Sequence, residues 1–277
     1  MTVLVVALVL SAALMHASWN AILHNDTDRL WSMVVMCMIS GACSLPFALL
    51  LPAPDRASWP YIAASAGVQI VYCLFLVRAY RDSELSQIYP IARGSAPFMV
   101  ALGAALFAHE HLGPIALIGI GCVSSGVVSL ARGKDRAQPA AVAIAFTTGV
   151  MIAGYTLIDG LGARLSQHSF SYTAWLFVCQ GAPMPLIYLA IRRRMSLPLN
   201  RQTLRTAFGG LISALGYGSV ILAMTLTPMG AVAALREVSI LFAVAIGRIF
   251  LKERASPARI AAGAVIAVGA GCLALGR

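Results

Sequence analysis

The stretch Tyr89-Pro-Ile-Ala-Arg93-Gly-Ser-Ala-Pro97 lies inside an apolar run long enough to cross a bilayer. An arginine sits deep within that run. Pro90 and Pro97 flank it and are expected to weaken the backbone hydrogen-bond ladder around it. The pattern has an echo in Val232-Ala-Ala-Leu-Arg236-Glu-Val-Ser239. A charge at membrane depth costs roughly 2.5–3.5 kcal/mol on insertion scales. Two such charges at matching places predict a polar pathway through a repeated membrane protein.

Composition supports that reading. The 277 residues are 60% hydrophobic and 11% charged, where a soluble domain carries about 25% charged residues. Apolar runs of roughly 20 residues recur along nearly the whole length. The expected fold is an all-α membrane protein with ten transmembrane helices. The spans are 2–24, 30–52, 60–80, 84–107, 113–131, 138–160, 171–191, 205–226, 229–250 and 257–275, with edges uncertain by about 2–4 residues. The first run lacks a Lys/Arg-bearing leader region and is long for a signal peptide, so it reads as the first span. The net charge of +10 resides mostly in short loops. There it sets orientation and touches membrane lipid, and no nucleic-acid partner is expected. The six cysteines fall in apolar runs without a CxxC pair and read as small packing residues.

Sliding the chain by 143 residues lays Arg93, Phe107, Glu110, Pro114, Gly126 and Leu130 over Arg236, Phe250, Glu253, Pro257, Gly269 and Leu273. A weaker match, at an offset of 136, lays Met15–Trp19 over Met151–Tyr155. The expected units are therefore residues 1–134 and 135–277, five spans each. Five is odd, so the second unit enters the membrane in the opposite sense. This gives two inverted five-helix repeats, with a substrate site near the midplane. Of the 20 Lys and Arg residues, fourteen lie in or beside the loops after odd-numbered spans. The positive-inside rule then puts both termini outside. Gly121, Ser125, Gly263, Ala267 and Gly271 in spans 5 and 10 have the small-residue spacing of close helix packing.

Polar side chains inside the spans form candidate site residues. His16, Asn20 and His24 share one face of span 1, flanked by Trp19. Tyr89 and Arg93 are one turn apart in span 4, as are Tyr155 and Asp159 in span 6. Gln69, Tyr72 and Tyr217 come from spans 3 and 8. The functional reading is a cavity in which Arg93 and Arg236 attract a carboxylate or other anion. Tyr89, Tyr72, Tyr155, Tyr217, Trp19, Asn20 and His16 would surround the substrate. Glu237, Asp159 or His16 would carry a coupling proton. The structural alternatives are equally concrete: arginines bonded to backbone carbonyls, Glu237 as an internal partner of Arg236, and His16 and Asn20 as glue between helices. His109-Glu110-His111 does not read as a metal site, because the histidines would not share a helix face. Glu110 and Glu253 read as caps or anchors for the spans that follow them. The sequence holds no GxxxxGK[ST], HExxH or GxSxG. No enzymatic activity, cofactor or metal is expected.

The segment Ala104-Ala-Leu-Phe-Ala-His-Glu110-His-Leu-Gly-Pro114-Ile-Ala-Leu-Ile-Gly119 recurs as Gly247-Arg-Ile-Phe-Leu-Lys-Glu253-Arg-Ala-Ser-Pro257. Together with the ten spans, it resembles the EamA family of the drug/metabolite transporter superfamily. The opening His16-Ala-x-Trp19-Asn20 is similar to a subgroup of that family, some of whose members accompany phosphonate-utilisation genes. The resemblance implies a secondary transporter of the inner (plasma) membrane working by alternating access, as monomer or homodimer. It would usually export a small-molecule substrate such as an amino acid or related carboxylate. It also implies cytoplasmic termini, the opposite of the charge count. A reporter fused to the C-terminus separates the two. Efflux of hydrophobic cations, with Glu237 or Asp159 as the binding carboxylate, is the alternative within transport. A non-transporting membrane scaffold or lipid-handling protein is the alternative outside it.

Overall fold

A computed structural model describes residues 1–277 except 25, 27, 80–84, 131–138, 194–199, 251–256 and 276–277. Side chains are further omitted at 24, 79, 85–91, 139–142, 246–250, 257 and 259. Tyr89 and His24, as side chains, and Glu253 therefore lie outside the described residues.

The described residues form helices joined by short connections. The first half contains α1 (Val3–His24), α2 (Arg29–Leu50), α3 (Trp59–Ala79), α4 (Leu85–Phe107) and α5 (Pro114–Ser129). The second contains α6 (Pro139–Leu165), α7 (Ser169–Gly181), α8 (Met184–Arg192), α9 (Arg201–Leu226), α10 (Met229–Arg236), α11 (Ser239–Phe250) and α12 (Pro257–Leu275). Local chemistry sets several starts. Asp28 accepts the Trp31 N–H at 3.1 Å ahead of α2, and Asn200 accepts the Thr203 N–H at 2.9 Å ahead of α9. Pro114 opens α5, where its missing N–H is no loss. Six of the described stretches are long and apolar enough to cross a membrane, and large apolar side chains such as Phe47, Leu50, Phe98 and Phe170 point outward. An exterior of this kind suits lipid.

Two expected spans are broken. Span 7 divides at Ala182–Pro183, where proline removes a backbone donor and clashes with the preceding turn. Span 9 divides after Arg236, where Glu237 and Val238 donate to the carbonyls three residues back. That is a tight 3₁₀ turn, of the sort that often marks a hinge. Span 4 does the reverse of what its prolines suggest: α4 runs unbroken through Pro90 and Pro97.

The two halves share one bundle. The main packing pairs are α1 with α9, α2 with α7, α3 with α6, α4 with α6, and α5 with α12, each joining first half to second. Gly119 and Gly269 make the α5–α12 contact: a Cβ on Gly269 would lie 2.8 Å from the Gly119 carbonyl oxygen. The expected packing glycines Gly121 and Gly271 instead face open space. Gly263, also expected, does pack: a Cβ there would lie 3.2 Å from Leu241 Cδ2 of α11.

Candidate functional site

Helices from both halves line a cavity of about 80 Å³. α1 supplies His16 and Trp19, α3 supplies Gln69 and Tyr72, α6 supplies Tyr155, α9 supplies Tyr217, and α10 supplies Arg236. The volume holds about two or three waters, far below the roughly 300–1,000 Å³ of a drug-sized pocket. A larger groove of about 430 Å³ runs along Phe98, Leu102 and Leu117, with Glu110 and His111 at one end. Those apolar side chains are exposed on the outside of the bundle, as a bilayer-facing surface would be.

Aromatic rings form a connected wall. Tyr72 and Tyr155 have centroids 5.5 Å apart, Tyr155 and Tyr217 5.7 Å, and His16 and Trp19 5.0 Å. These are edge or tilted contacts, the arrangement ring quadrupoles favour. Asn20 is not in the wall. Its amide donates to His16 Nε2 at 3.0 Å, fixing the ring from one turn away.

The two arginines have different settings. Arg93 does not line the cavity: it is fully buried, its Nε donates to Glu237 Oε2 at 2.8 Å, and its Nη2 lies 3.4 Å from Ser239 Oγ. Glu237 is likewise fully buried and outside the wall. Arg236 does line the cavity, 4.0 Å from Glu237 Oε1, and its side chain makes no hydrogen bond among the described residues. Glu237 was read beside Arg236 in sequence, but its hydrogen-bonded partner is Arg93, 144 positions away. A backbone reason is visible. Residue 237 sits at the 3₁₀ turn and aims inward. The repeat-related Gly94 has no side chain, and a Cβ there would meet Val128 Cγ2 at 2.8 Å.

Asp159 lies behind the wall. Its carboxylate accepts from Gln69 Nε2 at 3.0 Å, Tyr172 Oη at 3.0 Å and Tyr217 Oη at 2.6 Å. No cationic side chain pairs with it among the described residues. Gln69 and Tyr217 thus connect a buried acid to the cavity surface.

Glu110 does not cap the span that follows it. It accepts the Met229 N–H at 2.9 Å, at the start of α10. Its other oxygen accepts from Arg164 Nη2 at 2.6 Å, and Arg164 also donates to the Met224 and Thr227 carbonyls at the end of α9. One ion pair thus closes the turn that leads to Arg236.

Sequence reasoning overlooked several wall residues: Phe177, Gln180, Cys37 and Cys73. Gln180 was detectable as a polar residue within an apolar run. The cysteines carried no spacing signal.

Residues 139–275 match the model of the EamA-like transporter family. The chain belongs to that family. The match is carried by its second half, the half that supplies Tyr155, Tyr217 and Arg236. Membership makes the chain a multi-pass membrane transporter of the drug/metabolite transporter superfamily. A solved crystal structure superposes on this EamA-like chain with a TM-score of 0.80 at 16% sequence identity, covering 99% of this chain and 98% of its own. At that identity the likeness is one of fold. No curated protein matches the sequence.

Proposed function

We propose that the chain is a secondary transporter of the inner membrane that exports a small anionic metabolite, an amino acid or related carboxylate or phosphonate. One observation carries the reading. Arg236 faces an aromatic cavity with its guanidinium free of hydrogen bonds to described residues. A guanidinium fork offers paired donors that match a carboxylate or phosphonate. Trp19, Tyr72, Tyr155 and Tyr217 would pack on the body of the substrate, and His16 would complete the polar end. Arg93 and Glu237 neutralise each other and would act as a strut behind Arg236.

The small cavity between the two halves suits one step of an alternating-access cycle. Alternating access would come from two oppositely inserted five-helix units, 1–134 and 135–277, moving about this centre. The bend at Glu237–Val238 and the Glu110–Arg164 clasp are its natural moving parts. Asp159, held by neutral donors alone, would carry the coupling proton. Efflux of hydrophobic cations has less support, because Glu237 is already matched by Arg93 and the wall carries the cation Arg236.

The test is a thermal-shift screen of purified protein against amino acids, small carboxylates and phosphonates, followed by flux in proteoliposomes. A ligand that binds the folded form raises its Tm. Anions should shift the wild type and transport should follow. A response confined to lipophilic cations would replace this reading with the drug-efflux one.

A further inference from the structure

We propose that Asp26 and Glu110 are paired locks at the two ends of α9, and that parting Asp26 from Thr206 opens the cavity to one face of the membrane only. Both acids belong to turns of the first half, and both hold the second half. Asp26, in the turn between α1 and α2, is buried. Its Oδ2 accepts from Ser32 Oγ on α2 at 2.7 Å and from Thr206 Oγ1 on α9 at 2.9 Å, 180 positions away. No cationic side chain pairs with it among the described residues. Asp28, two positions on, meets Arg192 at 3.1 Å, but that pair is open to solvent and adds little. At the other end Glu110 holds Arg164, and Arg164 grips the Met224 and Thr227 carbonyls where α9 stops.

Thr206 stands in the second turn of α9 and Met224 in its last, about 27 Å apart along the axis. The residues that α9 gives to the cavity, among them Gly216 and Tyr217, lie between them. A helix pinned at both ends stays in place. Freed at one end, it tilts about the other. Gly210 faces α2 and Gly216 faces α1, where any Cβ would crowd the Met36 carbonyl or Met15. Such a face carries no side chains that must disengage. The bonds at the Thr206 end are also built to let go. Thr206 has one hydroxyl hydrogen and two acceptors, Asp26 Oδ2 and the Gln202 carbonyl of its own helix, each at 2.9 Å. Ser40 repeats the device one turn further in, with the Gly210 carbonyl of α9 and the Met36 carbonyl of its own helix each at 2.9 Å. Each hydroxyl can turn back to its own helix without losing a partner, and Asp26 keeps its bond from Ser32. Release at this end opens one face, and release of Glu110 from Arg164 opens the other.

The two locks presuppose alternating access, but their test needs no substrate, so it can fail without touching anion recognition, which has its own thermal-shift test. Cys37 and Cys73 line the cavity and serve as native reporters. Wild type, Thr206→Val, Thr206→Ser and Glu110→Gln are exposed to membrane-impermeant sulfonatoethyl methanethiosulfonate in right-side-out and in inside-out membrane vesicles. Labelling of the two cysteines is followed by mass spectrometry without reduction. Thr206→Val keeps the shape of the side chain and loses the hydroxyl. It should label about tenfold faster than the wild type in one kind of vesicle, the shift expected for one hydrogen bond to a charged group. Glu110→Gln should label faster in the other kind. Thr206→Ser keeps the hydroxyl and should behave as the wild type. Faster labelling of Thr206→Val and Glu110→Gln from the same face would overturn the proposal. So would an unchanged rate in either of them, or a rate in Thr206→Ser equal to that in Thr206→Val.

Discussion

Arg93 Nε donates to Glu237 Oε2 at 2.8 Å, and neither side chain reaches solvent. The bond joins α4 to the bend between α10 and α11, next to the arginine that faces the cavity. It separates an arginine that is hydrogen-bonded to Glu237 from one, Arg236, that only approaches the same carboxylate at 4.0 Å.

Breaking that pair should be costly. Arg93→Met or Glu237→Met alone leaves a buried charge without its counter-ion, and each should lower stability by about 3–5 kcal/mol. The double replacement should recover only part of the loss, because buried Arg236, 4.0 Å from Glu237 in the wild type, then loses its nearby carboxylate. Melting curves in detergent check this. Single variants that melt with the wild type would mean that the pair contributes nothing.

The α5–α12 contact gives a test with an internal control. Gly269→Ala would press a Cβ against the Gly119 carbonyl and should lower stability by about 1–3 kcal/mol. Gly121→Ala faces open space and should be neutral or slightly stabilising. Equal effects of the two would place the helix contact on a different face.

Glu110 and Arg164 should act as a unit. A double-mutant cycle of Glu110→Ala and Arg164→Met should show a coupling of about 1–3 kcal/mol, as contacting residues in one network do. Additive single effects would mean that the 2.6 Å contact carries no energy.

Asp159→Asn separates coupling from binding. The amide keeps the shape of the side chain but carries no exchangeable acid. Gradient-driven accumulation in proteoliposomes should be lost while substrate exchange at equal pH is retained. Full gradient-driven accumulation by the variant would remove Asp159 from the coupling step.

Much of the fold was legible because lipid imposes a simple rule: long apolar runs become helices. What periodicity could not show was where a helix yields. Pro90 and Pro97 suggested a break in α4, yet the chain bends at Glu237–Val238, where no proline stands. Tertiary packing decided between two similar segments. The site was legible in its residue types. His16, Trp19, Tyr72, Tyr155, Tyr217 and Arg236 meet in one wall. Sequence symmetry misled on Arg93, because it treats positions 93 and 236 as equals. Only the fold shows that Glu237 hydrogen-bonds Arg93 and approaches Arg236 no closer than 4.0 Å. Asn20 likewise turned out to support His16, since its amide reaches the ring one turn below.

The central claim is that Arg236 recognises an anion. The most direct measurement compares thermal shifts given by matched ligands, L-phenylalanine with its amide and L-alanine with its amide, in wild type and Arg236→Gln. At least one free carboxylate should raise the wild-type Tm where its amide does not, and Arg236→Gln should abolish that difference while melting near the wild type. Equal shifts from acid and amide, no shift from either acid, or an undiminished acid response in Arg236→Gln would contradict it.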